Sequence, residues 1–230
     1  MYTYPTVTPA VADTVSHNFC SGCGLCALNC PTHAIIIEEQ ALLDGQRRKN
    51  PVLIPQCCVH CGRCAAVCPS GAIQQFHMED LLHRVAATRP HGLAFFCTSQ
   101  NQHAPCVSTS MAAGGTLLDG RRRARLQDAL TVPAGVLLEE VRCMGRIGSR
   151  LLLRLALAGV RQMAFFACPP DHCEYGQGGL GIHEHVEATA DLLAQYNVTC
   201  VHMRVYDSPD CASMNAIMAA MSSTAQKQPH

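Results

Sequence analysis

One run of cysteines, met twice, constrains this chain more than anything else in it. From Cys20 the sequence reads CSGCGLCALNCP and from Cys58 it reads CVHCGRCAAVCP, so C-x2-C-x2-C-x3-C-P recurs with every cysteine displaced by 38 positions. Three thiolates two residues apart can wrap one corner of an iron–sulfur cubane, and a fourth, followed by proline, turns away from it. Gly24 and Gly62 follow the second cysteine of each run, where a residue without Cβ lets the backbone bend and point amides at sulfur. The repetition continues past each proline, AIII from Ala34 against AIQQ from Ala72. This is an internal duplication, each half being a short strand, a cluster loop, a helical turn and another strand. Structural zinc is the poorer reading, because zinc sites usually pair two C-x2-C units around a longer gap, and disulfides need no regular triplet. Cys57 matches Phe19 of the first half and reads as a packed thiol.

The doubled run resembles the two-cluster bacterial ferredoxins. That resemblance implies two 4Fe-4S clusters with crossed ligation, one on Cys20, Cys23, Cys26 and Cys68 and the other on Cys58, Cys61, Cys64 and Cys30. An α+β ferredoxin-like domain over 15–76 is expected, behind an extended arm at 1–14. Within it an Asp44-Gly45 turn joins two apolar segments as a hairpin, and Arg47, Arg48 and Lys49 read as a solvated edge.

The 230 residues suit one or two domains, and 48% hydrophobic residues allow a buried core. A formal net charge of zero argues against nucleic-acid binding, which relies on clustered cations. Residues 1 to 19 show neither a basic n-region nor a long apolar core, and the apolar tract from Leu151 is interrupted by Arg154, so no transmembrane segment is expected. Sixteen cysteines in metal-ligand patterns suit a reducing cytoplasm.

Beyond His77 the periodicity changes. Leu81, Leu82 and Val85 fall at helical spacing and predict a linking helix over 77–90 that stops before Pro90. Apolar runs then alternate with helical ones, which predicts over 91–224 an α/β domain with a mostly parallel, doubly wound sheet of about four strands, followed by a tail at 225–230. Cys97, Cys143 and Cys168 each close a predicted strand, and Cys173 follows in a loop. In open α/β sheets the carboxyl ends of strands converge on a ligand crevice. Cys97, Cys106, Cys143, Cys168 and Cys173 are thus five candidates for four positions of a further metal site, zinc or iron–sulfur. Its position behind a cluster domain favours iron–sulfur. Cys200 and Cys211 read as core or surface thiols.

The segment GVLLEEVRCMGRIGSRLLLRLALAGVRQMAFFACPPDHCEYGQG resembles the delta subunit of methyl-viologen-reducing hydrogenase. It matches in the strand ending at Cys143, in Gly145-Arg146, in the helix ending at Ala158-Gly159, and in Cys168-x4-Cys173 with Tyr175 and glycines behind it. The resemblance implies a 2Fe-2S cluster and a link between a hydrogenase and a heterodisulfide-reductase-type flavoprotein. In that family the cysteines after the first strand are closely spaced, whereas TSQNQHAP separates Cys97 from Cys106 here, and Cys106 ranks last of the five.

Arg142 and Arg146, beside Cys143, are placed to raise a cluster's potential and so count as cofactor-binding candidates. Gly176 to Gly181 satisfies G-x-G-x-x-G, yet it begins eight residues after the strand end, and Asp207 lies 26 residues past Gly181. A loop of close approach to a cluster is the better reading than a dinucleotide site. Arg121 to Arg125 reads as a solvated helix face, and His172, His183 and His185 read first as ordinary polar residues, with Rieske-like replacement of a cysteine by His172 the alternative.

No nucleophile–base pair stands out, so a non-catalytic electron-transfer subunit of an oxidoreductase complex is expected. Its expected partners are a flavoprotein of the heterodisulfide reductase A type and a hydrogenase, formate dehydrogenase or similar enzyme. The alternative is an iron–sulfur redox sensor or assembly adaptor.

Overall fold

The computed structural model describes residues 15–16, 18–41, 47–73, 76–97, 130–168, 173, 175–176, 178–207 and 209–225. The duplication is visible in strand pairing. β1 (Ile35–Ala41) runs antiparallel to β2 (Arg47–Leu53) with Ile35 opposite Leu53. A displacement of 38 residues carries that pair onto Ile73 and Val15, and these two form an antiparallel bridge. Each half therefore lends its outgoing strand to the other half's incoming one, and Cys26, Ile35 and Ile73 form the small core between them. The predicted hairpin is present, although its Asp44-Gly45 turn lies outside the described residues. Its basic edge is not uniformly solvated: Arg47 and Lys49 pair with Glu39 at the surface, while Arg48 donates to the Cys20 carbonyl at 3.3 Å.

Two four-residue helices, α1 (Leu25–Leu28) and α2 (Arg63–Ala66), each start behind a left-handed glycine, Gly24 at φ 77° and Gly62 at φ 80°. The turn is open to glycine at little cost, and it swings the third cysteine of each run inward.

The second unit is a four-stranded, all-parallel sheet in the order β4-β3-β5-β6, made of β3 (Gly92–Cys97), β4 (Val136–Val141), β5 (Gln162–Ala167) and β6 (His202–Asp207). All six residues of β3 are buried, as a strand covered on both faces requires. Successive side chains go to opposite faces. Phe95 and Phe165, stacked 5.3 Å apart, join Met78, Leu81 and Val85 of α3 (Phe76–Thr88), Leu152 and Leu155 of α4 (Ser149–Leu157), and Ile182 of α5 (Gly178–Gln195). Phe96 and Phe166 meet Met214, Met218 and Met221 of α6 (Cys211–Ala225) on the other side. The sheet is doubly wound, as the alternation predicts.

Two expectations change. Helix α3 does more than link, because its apolar face belongs to the second unit's core and Arg84 reaches the buried Glu139 of β4 at 2.6 Å. Gly178 to Gly181 do not form a loop; they make the first turn of α5. No helix among the described residues is long and apolar enough to cross a membrane.

Candidate metal centres

Cys20, Cys23, Cys26 and Cys68 line one cavity, together with Gly22, Gly24, Ile37, Pro51 and Ile73. Three come from the first run and the fourth from the end of the second. Burial raises the Cys26 thiol, and Cys20 and Cys23 beside it add to the rise as like charges. Cys68 is held below the usual thiol range. Burial pushes it up, but hydrogen bonds from the Ile73 backbone, the Ser70 hydroxyl and the Ala72 and Gly71 backbone outweigh that push.

The other set gathers in the same crossed way. Cys61 is raised by burial, with Cys30 and Cys58 among the neighbours that reinforce the rise. Cys64 is pushed up to about 12 by burial, then by Cys61 and Cys58, with a smaller contribution from Cys26. The Ala34 amide donates to Cys30 Sγ at 3.2 Å, and Thr32 Oγ1 lies 3.8 Å from the same sulfur. Ser70 Oγ stands 3.6 Å from Cys68 Sγ at the equivalent place in the other half. These two hydroxyls were not singled out from the sequence. The signal was available, because a displacement of 38 carries Thr32 onto Ser70, two residues after each fourth cysteine.

The third set sits at the carboxyl ends of β3, β4 and β5. Cys97 is the last residue of β3 and Cys168 follows β5, so adjacent strands bring their sulfurs to 3.4 Å. Cys143 stands two residues past β4, where it opens a 3-10 turn, Met144–Arg146, and accepts from the Gly145 amide at 3.4 Å. Cys143 and Cys168 are both pushed up, first by hydrogen bonding to Cys173 and then, for Cys168, to Cys97, with burial adding to each. Cys173 is driven down by the thiols of Cys143 and Cys168, with backbone hydrogen bonds involving Tyr175 and Gly179 assisting. The contacts thus run pairwise from Cys97 through Cys168 and Cys173 to Cys143. Cys106, His172 and Arg121 to Arg125 lie outside the described residues.

Glycine is required where α5 meets this set. A Cβ on Gly178 would stand 2.3 Å from Cys143 Sγ and 3.2 Å from Cys173 Sγ, and one on Gly179 would stand 2.8 Å from the Cys168 carbonyl oxygen. The G-x-G-x-x-G stretch therefore brings a helix N-terminus against sulfur at Gly178 and Gly179. Asp207, which does end the next strand, is paired with His183 at 3.2 Å.

Arg142 and Arg146 face the first unit. Arg142 donates to the Val59 carbonyl at 2.9 Å and Arg146 to the His60 carbonyl at 3.3 Å, both carbonyls lying between Cys58 and Cys61. His60 is kept below the usual imidazole range by burial and then by these two guanidinium charges. At the same contact a Cβ on Gly145 would lie 2.8 Å from Arg63 Cγ, and one on Gly148 would lie 2.5 Å from the Ala66 carbonyl oxygen.

The donor chemistry fits iron–sulfur groups: thiols in three sets, backbone amides aimed at sulfur, and a helix start too close for a Cβ. Such a molecule is an iron–sulfur electron-transfer protein. Residues 19–72 match the 4Fe-4S dicluster domain family, and residues 120–227 match the family described as methyl-viologen-reducing hydrogenase, delta subunit, so the chain joins these two in that order. The second match begins after Cys97 and Cys106. A search of curated proteins finds no match.

Proposed function

We propose that the chain is a relay subunit with three stations. Cys20, Cys23, Cys26 and Cys68 hold one 4Fe-4S cluster, Cys58, Cys61, Cys64 and Cys30 hold a second, and Cys97, Cys143, Cys168 and Cys173 hold a 2Fe-2S centre. The pairwise convergence of the last four at the carboxyl ends of the strands carries this reading, since two irons each take two thiolates. When bound, the clusters supply one-electron storage. The protein's part is to ligate, to aim amides such as those of Ala34 and Gly145 at sulfur, and to set potentials by burial and by nearby guanidinium charge. By its second family match, the subunit works in a multi-subunit redox complex. There it exchanges electrons between a flavoprotein of the heterodisulfide reductase A type and a hydrogenase or similar enzyme, in a reducing cytoplasm that suits its thiolates.

Metal analysis of anaerobically purified protein tests this. About ten irons are expected, four for each cubane and two for the third centre. Gly178→Ala, whose Cβ would collide with Cys143 Sγ, should lower that to about eight while leaving the 4Fe-4S spectra unchanged. Eight irons accompanied by one zinc in the unaltered protein would remove the third station.

A further inference from the structure

We infer that the strap Arg142–Gly148 is the junction between the two units, and that it seats the Cys58, Cys61, Cys64 and Cys30 set against the third cysteine set. This rests on the three-station reading above and adds the order of the stations, with the Cys20, Cys23, Cys26 and Cys68 set at the far end.

The strap begins at the third set, because Cys143 lies within it. Gly145, two residues on, presses against Arg63, which stands between Cys61 and Cys64, and Gly148 presses against the backbone of Ala66. A side chain at either position would collide, so main chain meets the second loop with nothing between. Consecutive Cα atoms are about 3.8 Å apart, which puts Cys143 no more than about 7.6 Å from Gly145 and Cys64 about 3.8 Å from Arg63. Arg142 and Arg146 close the contact from its other side through the carbonyls of Val59 and His60. These two arginines are positioning residues, and charged donors hold neutral carbonyls more firmly than neutral donors do.

The other set meets the second unit only at its Cys68 end, where Gly71 lies against Arg150, and its first-run side is turned away from this contact. Cys23 is exposed, Phe19 and Leu28 beside the first run are 67% and 81% exposed, and α1 packs mainly on α2 and β1. The two ferredoxin sets approach each other where Cys64 packs against the small core of Cys26, Ile35 and Ile73. With iron–sulfur groups bound, this seating would let one electron pass between the third set and the Cys61 set in either direction. No bond or proton moves at the junction, and partner redox enzymes act as source and sink.

The test is magnetic and uses the full chain, purified anaerobically and reduced stepwise with dithionite. Reduced 2Fe-2S and 4Fe-4S centres are both paramagnetic, so neighbours broaden each other and speed each other's spin relaxation. Broadening of the third centre's signal is expected when the Cys61 set is reduced, and it should persist in Cys23→Ser. Arg142→Ala with Arg146→Ala should keep the iron content but lose the broadening. Should that double variant lose iron, the stepwise titration of the unaltered protein decides alone. Broadening that follows the Cys23 set, or that survives loss of both arginines with all iron retained, overturns the junction. A third signal that is absent, with zinc in its place, overturns the three-station reading itself.

Discussion

Two histidines stand in backbone positions that suit glycine. His33 has φ 52° and His60 φ 54°, while their counterparts 38 residues away, Gly71 and Gly22, have φ 66° and 69°. The cluster loops need these left-handed turns whatever the residue, at about 1–2 kcal/mol each for a side chain with Cβ. Gly22 has no choice, since a Cβ there would lie 2.9 Å from Lys49. A third histidine gives a pH prediction. His185 of α5 meets Ser149 Oγ at 3.2 Å, and burial lowers its pKa, opposed by Glu184. Its folded pKa lies below the unfolded value of about 6.5, so below about pH 6.5 the unfolded chain takes up the proton first. Stability should be full above about pH 6.5 and fall as the pH drops toward the folded pKa. Denaturation midpoints across that window should slope more steeply in the native protein than in His185→Gln, where the lowered His60 still contributes; equal slopes would dismiss the assignment. At this scale the thiols were legible because their spacing is the chemistry. Arg142 and Arg146 were legible as neighbours of Cys143, but their real partners, Val59 and His60, are more than 80 positions away and leave no local pattern.

Among the elements, strands were easier to read than their ends. GLAFFC and QMAFFA are short apolar runs and became β3 and β5, yet β4 stops at Val141 and leaves Cys143 to open a 3-10 turn. Four glycines between residues 176 and 181 argued for a loop, because glycine is a poor helix former. Contact with sulfur overrides that preference, since only glycine lets α5 begin so close to Cys143 and Cys173. Helix α3 was found at its predicted place, but its attachment came from outside its own periodicity. Glu139 is 5% exposed and takes Arg84 at 2.6 Å, which ties α3 to β4. Arg84→Ala strips a cation from a buried carboxylate. The arginine itself is 38% exposed, so the loss should be near about 2 kcal/mol, below the usual figure for a fully buried pair. A denaturant midpoint unchanged within error would show that other contacts of Glu139 suffice.

Across the whole molecule, the two ferredoxin sets have unequal shelter. The Cys58 to Cys64 loop lies beneath the strap of the second unit, whereas Cys23 is open to solvent. Under air, the 4Fe-4S signal of the Cys23 set should disappear first, followed by that of the Cys61 set, as read by EPR of samples withdrawn and reduced over time. The opposite order would mean that the strap gives no protection. The architecture of two units and their sequence in the chain were legible from the doubled motif and the later alternation of strands and helices. The face by which they touch was not, because it is built from glycines and carbonyls that carry no compositional mark.

The shared 38-residue plan also divides mutational tolerance unevenly between its two copies. In the first copy a substitution answers to the thiolate loop and to the hairpin edge, where Lys49 crowds Gly22 and Arg48 holds the Cys20 carbonyl. In the second, Val59, His60, Arg63 and Ala66 answer both to that loop and to the strap laid across it. Halves that began as equivalents can therefore drift at different rates. Exchanging the two loops would fail in both directions: the first copy's loop was not shaped to the strap, and the second copy's would bring His60 to the place of Gly22, against Lys49.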